Sequence, residues 1–144
     1  MPTRTAEARW EGTLEQGKGS MRLPSQGYEG PFTHGSRFAE EEGSNPEEMV
    51  AAAHAGCFSQ YLAALLSEAG YEPNAISTTA NVTIEQVEGA PTITRIDLTT
   101  EADVPQLADD EFQQKLEQSK VECPVSKALS NVGEITATGT LRAS

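Results

Sequence analysis

Cysteine is the residue type in this 144-residue chain whose chemistry depends most on its surroundings, and the chain contains two, Cys57 and Cys123. A disulfide-stapled secreted domain normally carries more cysteines, so we expect these two to be either inert or catalytic. Cys57 stands in an apolar segment, where free cysteine is a common small core residue, and burial alone favours an inert role. Cys123 precedes Pro124 at the start of a short predicted helix, and a helix N-terminus favours the thiolate.

A catalytic role for Cys57 would require its ionisation. The thiolate is the nucleophile, and a free cysteine with a pKa of about 8.5 is mostly protonated at neutral pH. Cys57 follows Asn45, the expected helix cap, by 12 residues, which is about 18 Å along the helix. The helix dipole acts only within the first turn, so it cannot lower this pKa. We therefore expect a neighbouring cation, and a guanidinium is suitable because it stays charged in an apolar pocket.

His54 lies one turn before Cys57 and allows a second interpretation. Together with Cys123, and with Glu47 as a fourth ligand, these residues would imitate a zinc site. The spacing is a weak signal, because no CxxC pair accompanies it. A hydrogen-bonded core histidine is the preferred interpretation, and no metal is predicted.

One long helix must position Cys57. Asn45 is a suitable cap, Pro46 suits the first helical position, and Glu48 follows the cap by three residues. Residues 49–66 are apolar almost all round, which is typical of a helix that is buried on all sides. Gly70 supplies the C-terminal turn.

The rest of the chain predicts a single α+β domain over residues 1–144. The expected strands are residues 6–13, 18–23, 36–39, 76–87, 92–102 and 135–141, the expected helices are 109–120, capped by Asp109, and 123–129, and residues 24–34 are expected to form a loop. A small sheet covers only one face of a buried helix. We therefore expect a second copy of the chain to cover the other face, in an obligate homodimer.

Composition excludes some classes of function. The net charge of −12 argues against a nucleic-acid partner, because phosphate contacts need clustered lysine and arginine. No run approaches the roughly 20 apolar residues needed to span a bilayer, and the N-terminus does not resemble a secretory signal. These features predict a cytoplasmic protein without a membrane partner.

Several segments resemble the OsmC branch of the OsmC/Ohr family. The longest is NPEEMVAAAHAGCF at residues 45–58, and a second is ECPVS at residues 122–126. Shorter similarities lie at residues 10–12, 17–19, 36–38 and 68–71. The resemblance covers essentially the whole chain. It implies antiparallel sheets wrapped around long central helices in an intertwined homodimer.

The resemblance also implies a function and its residues. It implies thiol-dependent reduction of organic hydroperoxides to alcohols, in preference to hydrogen peroxide, without metal, haem or flavin. Cys57 matches the peroxidatic thiolate and Cys123 the resolving thiol, so a Cys57–Cys123 disulfide is expected. Arg37 matches the arginine that activates the thiolate and Glu47 its carboxylate partner, whereas the Ohr branch places its arginine earlier, which makes Arg22 a competitor. The implied reductant is a dithiol, such as a lipoylated protein, and the implied role is protection against oxidative or osmotic stress.

The spacing of Glu47 and Cys57 raises a question about assembly. Ten residues separate them in the sequence, which corresponds to about 15 Å along one helix. They cannot then share one site within a chain. If both belong to one site, we expect Glu47 to come from the partner subunit.

Two further alternatives remain open at this point. Phe58, Tyr61 and Leu62 are apolar neighbours of Cys57 that suit an alkyl peroxide, although core packing is the preferred interpretation for most of them. The alternative function is a non-enzymatic stress protein that senses oxidants or binds a hydrophobic ligand.

Overall fold

A computed structural model describes residues 2–25 and 27–142, and these residues form two three-stranded sheets and four helices. In chain order the elements are β1 (Glu7–Glu11), β2 (Lys18–Leu23), β3 (Tyr28–Phe32), α1 (His34–Phe38), α2 (Pro46–Glu68), β4 (Ala75–Val87), β5 (Ala90–Asp103), α3 (Asp109–Glu122), α4 (Pro124–Ala128) and β6 (Glu134–Arg142). The predicted α+β class is confirmed.

The chain divides into two units, Met1–Met49 and Val50–Ser144. The first unit contains the antiparallel meander β1-β2-β3. In the second unit β5 lies between β4 and β6 and pairs antiparallel with β4 and parallel with β6. A parallel neighbour needs a crossover connection, and α3 and α4 supply it between β5 and β6. The grouping of residues 1–144 as one domain stays a prediction.

The sequence prediction fails between residues 24 and 39. Residues 24–34, predicted as a loop, contain β3, and residues 36–39, predicted as a strand, overlap the end of α1. Thr33 and Ser36 explain the helix, because each side chain accepts a hydrogen bond from the other's backbone N–H in a capping box. Strand β3 is an edge strand, where Pro31 is tolerated.

The ends of α2 follow the predicted signals. The Asn45 Oδ1 accepts a hydrogen bond from the Glu48 backbone N–H at 2.7 Å, which caps the N-terminus. After the C-terminus, Gly70 adopts a φ of 94°, a conformation that glycine reaches without strain. The start of α3 differs from the prediction, since Ala108 occupies the cap position and Asp109 is already helical.

Helix α2 is covered on one side only within a protomer. Its buried residues fall on a single face, formed by His54, Phe58, Leu62, Leu65 and Leu66, but only 22% of its most apolar stretch is buried. The helix is long and apolar enough to cross a membrane by length and composition, so the expectation that no segment reaches that length is wrong. The same properties are found in core helices of globular proteins.

The core of the second unit forms where helices meet the inward face of β5. Phe58 and Leu62 of α2 pack in one cluster with Ile96 and Leu98 of β5 and with Phe112 of α3. The outward face of β5 is polar, as the alternating burial along the strand shows. This cluster also includes Cys123 and is contacted by Cys57, so the core itself positions both sulfurs.

Gly139 of β6 allows α3 to approach the sheet, and this generates a stability prediction. A Cβ atom at Gly139 would lie 2.5 Å from Leu116 Cδ1 and 3.2 Å from the Phe112 ring. Both neighbours are buried, so the surrounding core must shift to accommodate the methyl group. We expect Gly139→Ala to lower the free energy of unfolding by about 1–3 kcal/mol, the usual cost of overpacking, measured by urea denaturation at a fixed protein concentration.

The neighbouring substitution Thr138→Ala is the matched control, because Thr138 is exposed on the same strand. It should cost less than about 1 kcal/mol, within the range of strand propensities. Equal stability of Gly139→Ala and the wild type would contradict the close packing of α3 on β6.

Candidate active site

Local structure explains why Cys123 lies between two helices. Its backbone has φ −62° and ψ 137°, which ends α3 and makes it the cap residue of α4. The following Pro124 disfavours a helical conformation at Cys123 and suits the first position of the new helix. The side chain of Cys123 is therefore turned into the core, where it is fully buried.

The structure brings the two predicted cysteines together. Cys57 lies on α2 and is half-buried, and no disulfide joins it to Cys123. Burial raises the pKa of Cys57, a hydrogen bond with the Val125 backbone lowers it, and the neighbouring Cys123 side chain raises it further through hydrogen bonding and charge. Cys57 and Cys123, which are far apart in the sequence, are therefore neighbours in the fold. Burial and the nearness of Cys123 together favour the protonated thiol at Cys57.

Cys123 is connected to His54 through a serine. The Cys123 S–H donates to Ser126 Oγ at 3.2 Å, and the Ser126 backbone N–H donates to Cys123 Sγ at 3.4 Å. Ser126 Oγ is in turn 2.7 Å from His54 Nε2. His54 is fully buried, and burial lowers its pKa. The preferred interpretation of His54 as a hydrogen-bonded core histidine is confirmed.

The residues of the alternative zinc site do not form a metal-binding cluster. Within residues 2–25 and 27–142, no group of three or more histidine, cysteine, aspartate or glutamate side chains is arranged to hold a metal ion. The imidazole Nε2 of His54 is already occupied by Ser126.

Arg37 and Glu47 form a two-pronged ion pair in the first unit. The Arg37 Nε donates to Glu47 Oε1 and its Nη2 to Oε2, both at 2.9 Å. The Glu47 side chain is 12% exposed and that of Arg37 is 34% exposed. The hydrogen bonds to Glu47 raise the pKa of Arg37. The guanidinium also lies over the Phe38 ring, at 4.9 Å from its centroid. A planar guanidinium held in this way has a fixed direction.

Arg22, the competing arginine, has a different environment. It pairs with Glu7 across β1 and β2, and both side chains are about half exposed. Exposed ion pairs of this kind contribute little to stability or orientation.

An apolar cleft adjoins Arg37. It has a volume of about 240 Å³ and is lined by Trp10, Leu14, Phe32, Thr33, His34, Arg37 and Phe38. Sequence reasoning did not place the aromatic residues of this cleft, because β3 and α1, which carry several of them, were assigned wrongly. A guanidinium beside an apolar surface can bind a molecule that has one polar end and one apolar end.

The apolar neighbours of Cys57 are mostly core residues. Phe58 and Leu62 are fully buried in the cluster on β5, as the preferred interpretation expected. Tyr61 is half-buried and donates a hydrogen bond to Glu122 Oε1 at 2.8 Å. Ser126 was missed at the sequence level, although its position three residues after a cap residue is the position whose N–H a cap accepts.

The sequence is similar to a known family model and to curated proteins with the same family name. Residues 39–138 match the family model described as OsmC-like protein. The sequence is 40% identical over 131 residues to the peroxiredoxin OsmC of Escherichia coli strain K12, with 90% of each chain covered. The peroxiredoxin OsmC of Shigella flexneri matches to the same extent.

Several solved structures share the fold of this chain. An OsmC-like protein from Mycoplasma pneumoniae has a TM-score of 0.76 at 14% identity, with 99% of each chain covered. The organic hydroperoxide resistance protein OhrB of Bacillus subtilis has a TM-score of 0.68 at 21% identity, and the match covers 96% of this chain and 98% of that one. At these identities the likeness concerns the fold alone.

Proposed function

This chain belongs to the OsmC family, and from that membership we propose that it is a thiol-dependent peroxidase that reduces organic hydroperoxides to alcohols. The observation that carries the proposal is the pair of free, neighbouring sulfurs, one half-buried and one fully buried. The accessible Cys57 is suited to meet the peroxide. The buried Cys123 is suited to react with Cys57 after Cys57 has been oxidised.

The proposed cycle uses only these two sulfurs. The Cys57 thiolate attacks a peroxide oxygen, the O–O bond breaks, and the leaving alkoxide takes a proton and departs as the alcohol. Cys57 is then a sulfenic acid, and Cys123 condenses with it to a disulfide with release of water. A dithiol reductant restores both thiols by exchange, and we propose a lipoylated protein for this step.

The cycle needs a cation at Cys57, because burial and Cys123 both raise the pKa of that thiol. We assign this task to Arg37, whose direction Glu47 holds. Glu47 and Cys57 lie ten residues apart on the unbroken helix α2, or about 15 Å along its axis. Since Arg37 is bonded to Glu47, the two move together. We therefore propose that the pair serving each Cys57 belongs to the partner subunit.

An uncovered surface on α2 supports the homodimer. Ala52, Ala53, Gly56 and Ala64 lie on this surface and are exposed in a single protomer. A small-residue surface allows a second helix to approach closely, and an apolar helix face is stable only when covered. A second copy of the chain is the proposed cover, and the apolar cleft beside Arg37 would then receive the alkyl group of the peroxide. We place the protein in the cytoplasm, whose reducing conditions keep both thiols available.

Separate cysteine substitutions test the cycle. Cys57→Ser should abolish turnover of cumene hydroperoxide with a dithiol, because the nucleophile is lost. Cys123→Ser should retain one round of oxidation and accumulate a sulfenic acid, which dimedone labelling and mass spectrometry detect. Full turnover in Cys57→Ser would contradict the proposed peroxidase activity. A single stoichiometric oxidation of the wild type would favour a redox sensor instead.

Substitution of the ion pair tests the assignment of the cation. Arg37→Ala should lower kcat/KM by about a hundredfold, the usual loss when one stabiliser of a reacting anion is removed. Arg22→Ala is the matched control, because it removes an arginine from an exposed pair in the same unit, and it should retain wild-type kcat/KM. The reverse result would transfer the role to Arg22.

Mixed dimers test whether the site is shared between subunits. Arg37→Ala chains should have very low activity alone and Cys57→Ser chains none, but a dimer containing one of each has one complete site. Co-expressed chains should therefore recover about a quarter of wild-type activity, since half of the dimers are mixed. No recovery in dimers proven to be mixed would place Arg37 and Cys57 of one chain in the same site.

A bulky residue at Gly56 tests the dimer itself. A Cβ atom there meets nothing within 4 Å in the protomer, so Gly56→Trp should fold and yet block a close helix partner. Light scattering should give twice 15.4 kDa for the wild type and 15.4 kDa for the variant. Glu117→Trp, at an exposed site of α3, should remain dimeric. A monomeric wild type would contradict the proposal.

A further inference from the structure

A buried chain of hydrogen bonds in the second unit connects the resolving thiol to two residues, Ser126 and His54, that have no role in the cycle described above. It consists of Cys123, Ser126 and His54, which lie on α4 or its cap and on α2. All three side chains are almost completely inaccessible to solvent. The chain connects the resolving sulfur with the one imidazole that the core contains among the described residues.

The hydrogen bonds have a direction that suits proton transfer. The Cys123 S–H donates to Ser126 Oγ, so the Ser126 hydroxyl hydrogen is free to point at His54 Nε2, 2.7 Å away. In this arrangement Nε2 is an acceptor and the imidazole carries its proton on Nδ1. Nδ1 is buried and has no hydrogen-bond partner within residues 2–25 and 27–142.

His54 is in the protonation state that an acceptor needs. Burial lowers its pKa, and no charged group contributes to that shift among the described residues. The imidazole is therefore neutral at neutral pH. Ser126 connects His54 to the thiol of Cys123, and the second thiol, Cys57, lies one turn after His54 on α2.

Disulfide formation requires that a buried thiol lose its proton. Cys123 is fully buried, so solvent water does not reach its S–H directly. On the basis of the proposed peroxidase function, we propose that His54, acting through Ser126, takes up the Cys123 proton as Cys123 attacks the Cys57 sulfenic acid.

The step balances without a further reactant. The Cys123 S–H bond and the Cys57 S–O bond break, and the S–S bond forms. The Cys123 sulfur is oxidised while the sulfenic sulfur is reduced. The proton passes from Cys123 to Ser126 as the Ser126 proton passes to His54, and it finally joins the departing hydroxide to give water. The Ser126 backbone N–H, which donates to Cys123 Sγ, stabilises the sulfur as it gains negative charge.

Rapid-mixing experiments with cumene hydroperoxide separate the two chemical steps. Quenched samples are analysed by mass spectrometry, which distinguishes the thiols, the sulfenic acid and the disulfide. In Ser126→Ala and His54→Gln, disulfide formation should slow by about a hundredfold, the usual contribution of a general base, and far more than formation of the sulfenic acid. The sulfenic acid should therefore accumulate transiently.

Two further variants distinguish a proton relay, from Cys123 through Ser126 to His54, from a purely structural role of these residues. Ser126→Thr retains the hydroxyl and should recover most of the disulfide rate. Ser119→Ala removes another buried serine hydroxyl close to Cys123, one that has no hydrogen-bond partner among the described residues, and it should match the wild type.

Disulfide formation at the wild-type rate in both Ser126→Ala and His54→Gln would overturn the relay and leave the peroxidase intact. Equal slowing of both steps, without rescue by Ser126→Thr, would also overturn it and assign a structural role to His54. If the wild type formed neither sulfenic acid nor disulfide, the result would contradict the proposed function. It would then also contradict the relay, which depends on that function.

Discussion

The energetic cost of ionising a sulfur inside an apolar helix is the constraint on which the rest of this structure depends. Cys57 lies on the long helix α2, where burial raises the pKa of its thiol and the adjacent Cys123 raises it further. A charged sulfur in such a place needs an opposite charge that is itself held in position. The pair formed by Arg37 and Glu47 has this property. Because the proposed dimer supplies this pair from the partner subunit, ionisation of Cys57 there depends on the assembly of two chains.

In the proposed dimer, helix α2 contributes to stability, assembly and chemistry through different faces. The face that includes His54 and Phe58 is buried in the core of the second unit. Small residues such as Gly56 leave another surface open for a partner helix. Cys57 lies beside both. A substitution on this helix is therefore expected to affect packing, dimerisation or reactivity according to the face on which it falls.

The hydrogen-bonded polar groups of the two units differ in charge according to how deeply they are buried. The fully buried chain from Cys123 through Ser126 to His54 is neutral and hydrogen-bonded. The charged pair of Arg37 and Glu47 remains partly open to solvent. This distribution follows from the free energy of desolvation, which is far larger for an ion than for a neutral group that keeps its hydrogen bonds.

Local signals in the sequence determined α2, with its cap at Asn45 and its end at Gly70, and the long strands β4 and β5. They also carried the family resemblance, which the comparisons confirm. Strand β3 was missed, because an edge strand is defined by its pairing with β2 rather than by its own residues. The proximity of Cys57 to Cys123 was expected only from the resemblance, and the contact of Ser126 with His54 was not expected. These contacts join residues more than 60 positions apart in the sequence, and only tertiary packing brings such residues together, because no local propensity encodes a distance between separate elements.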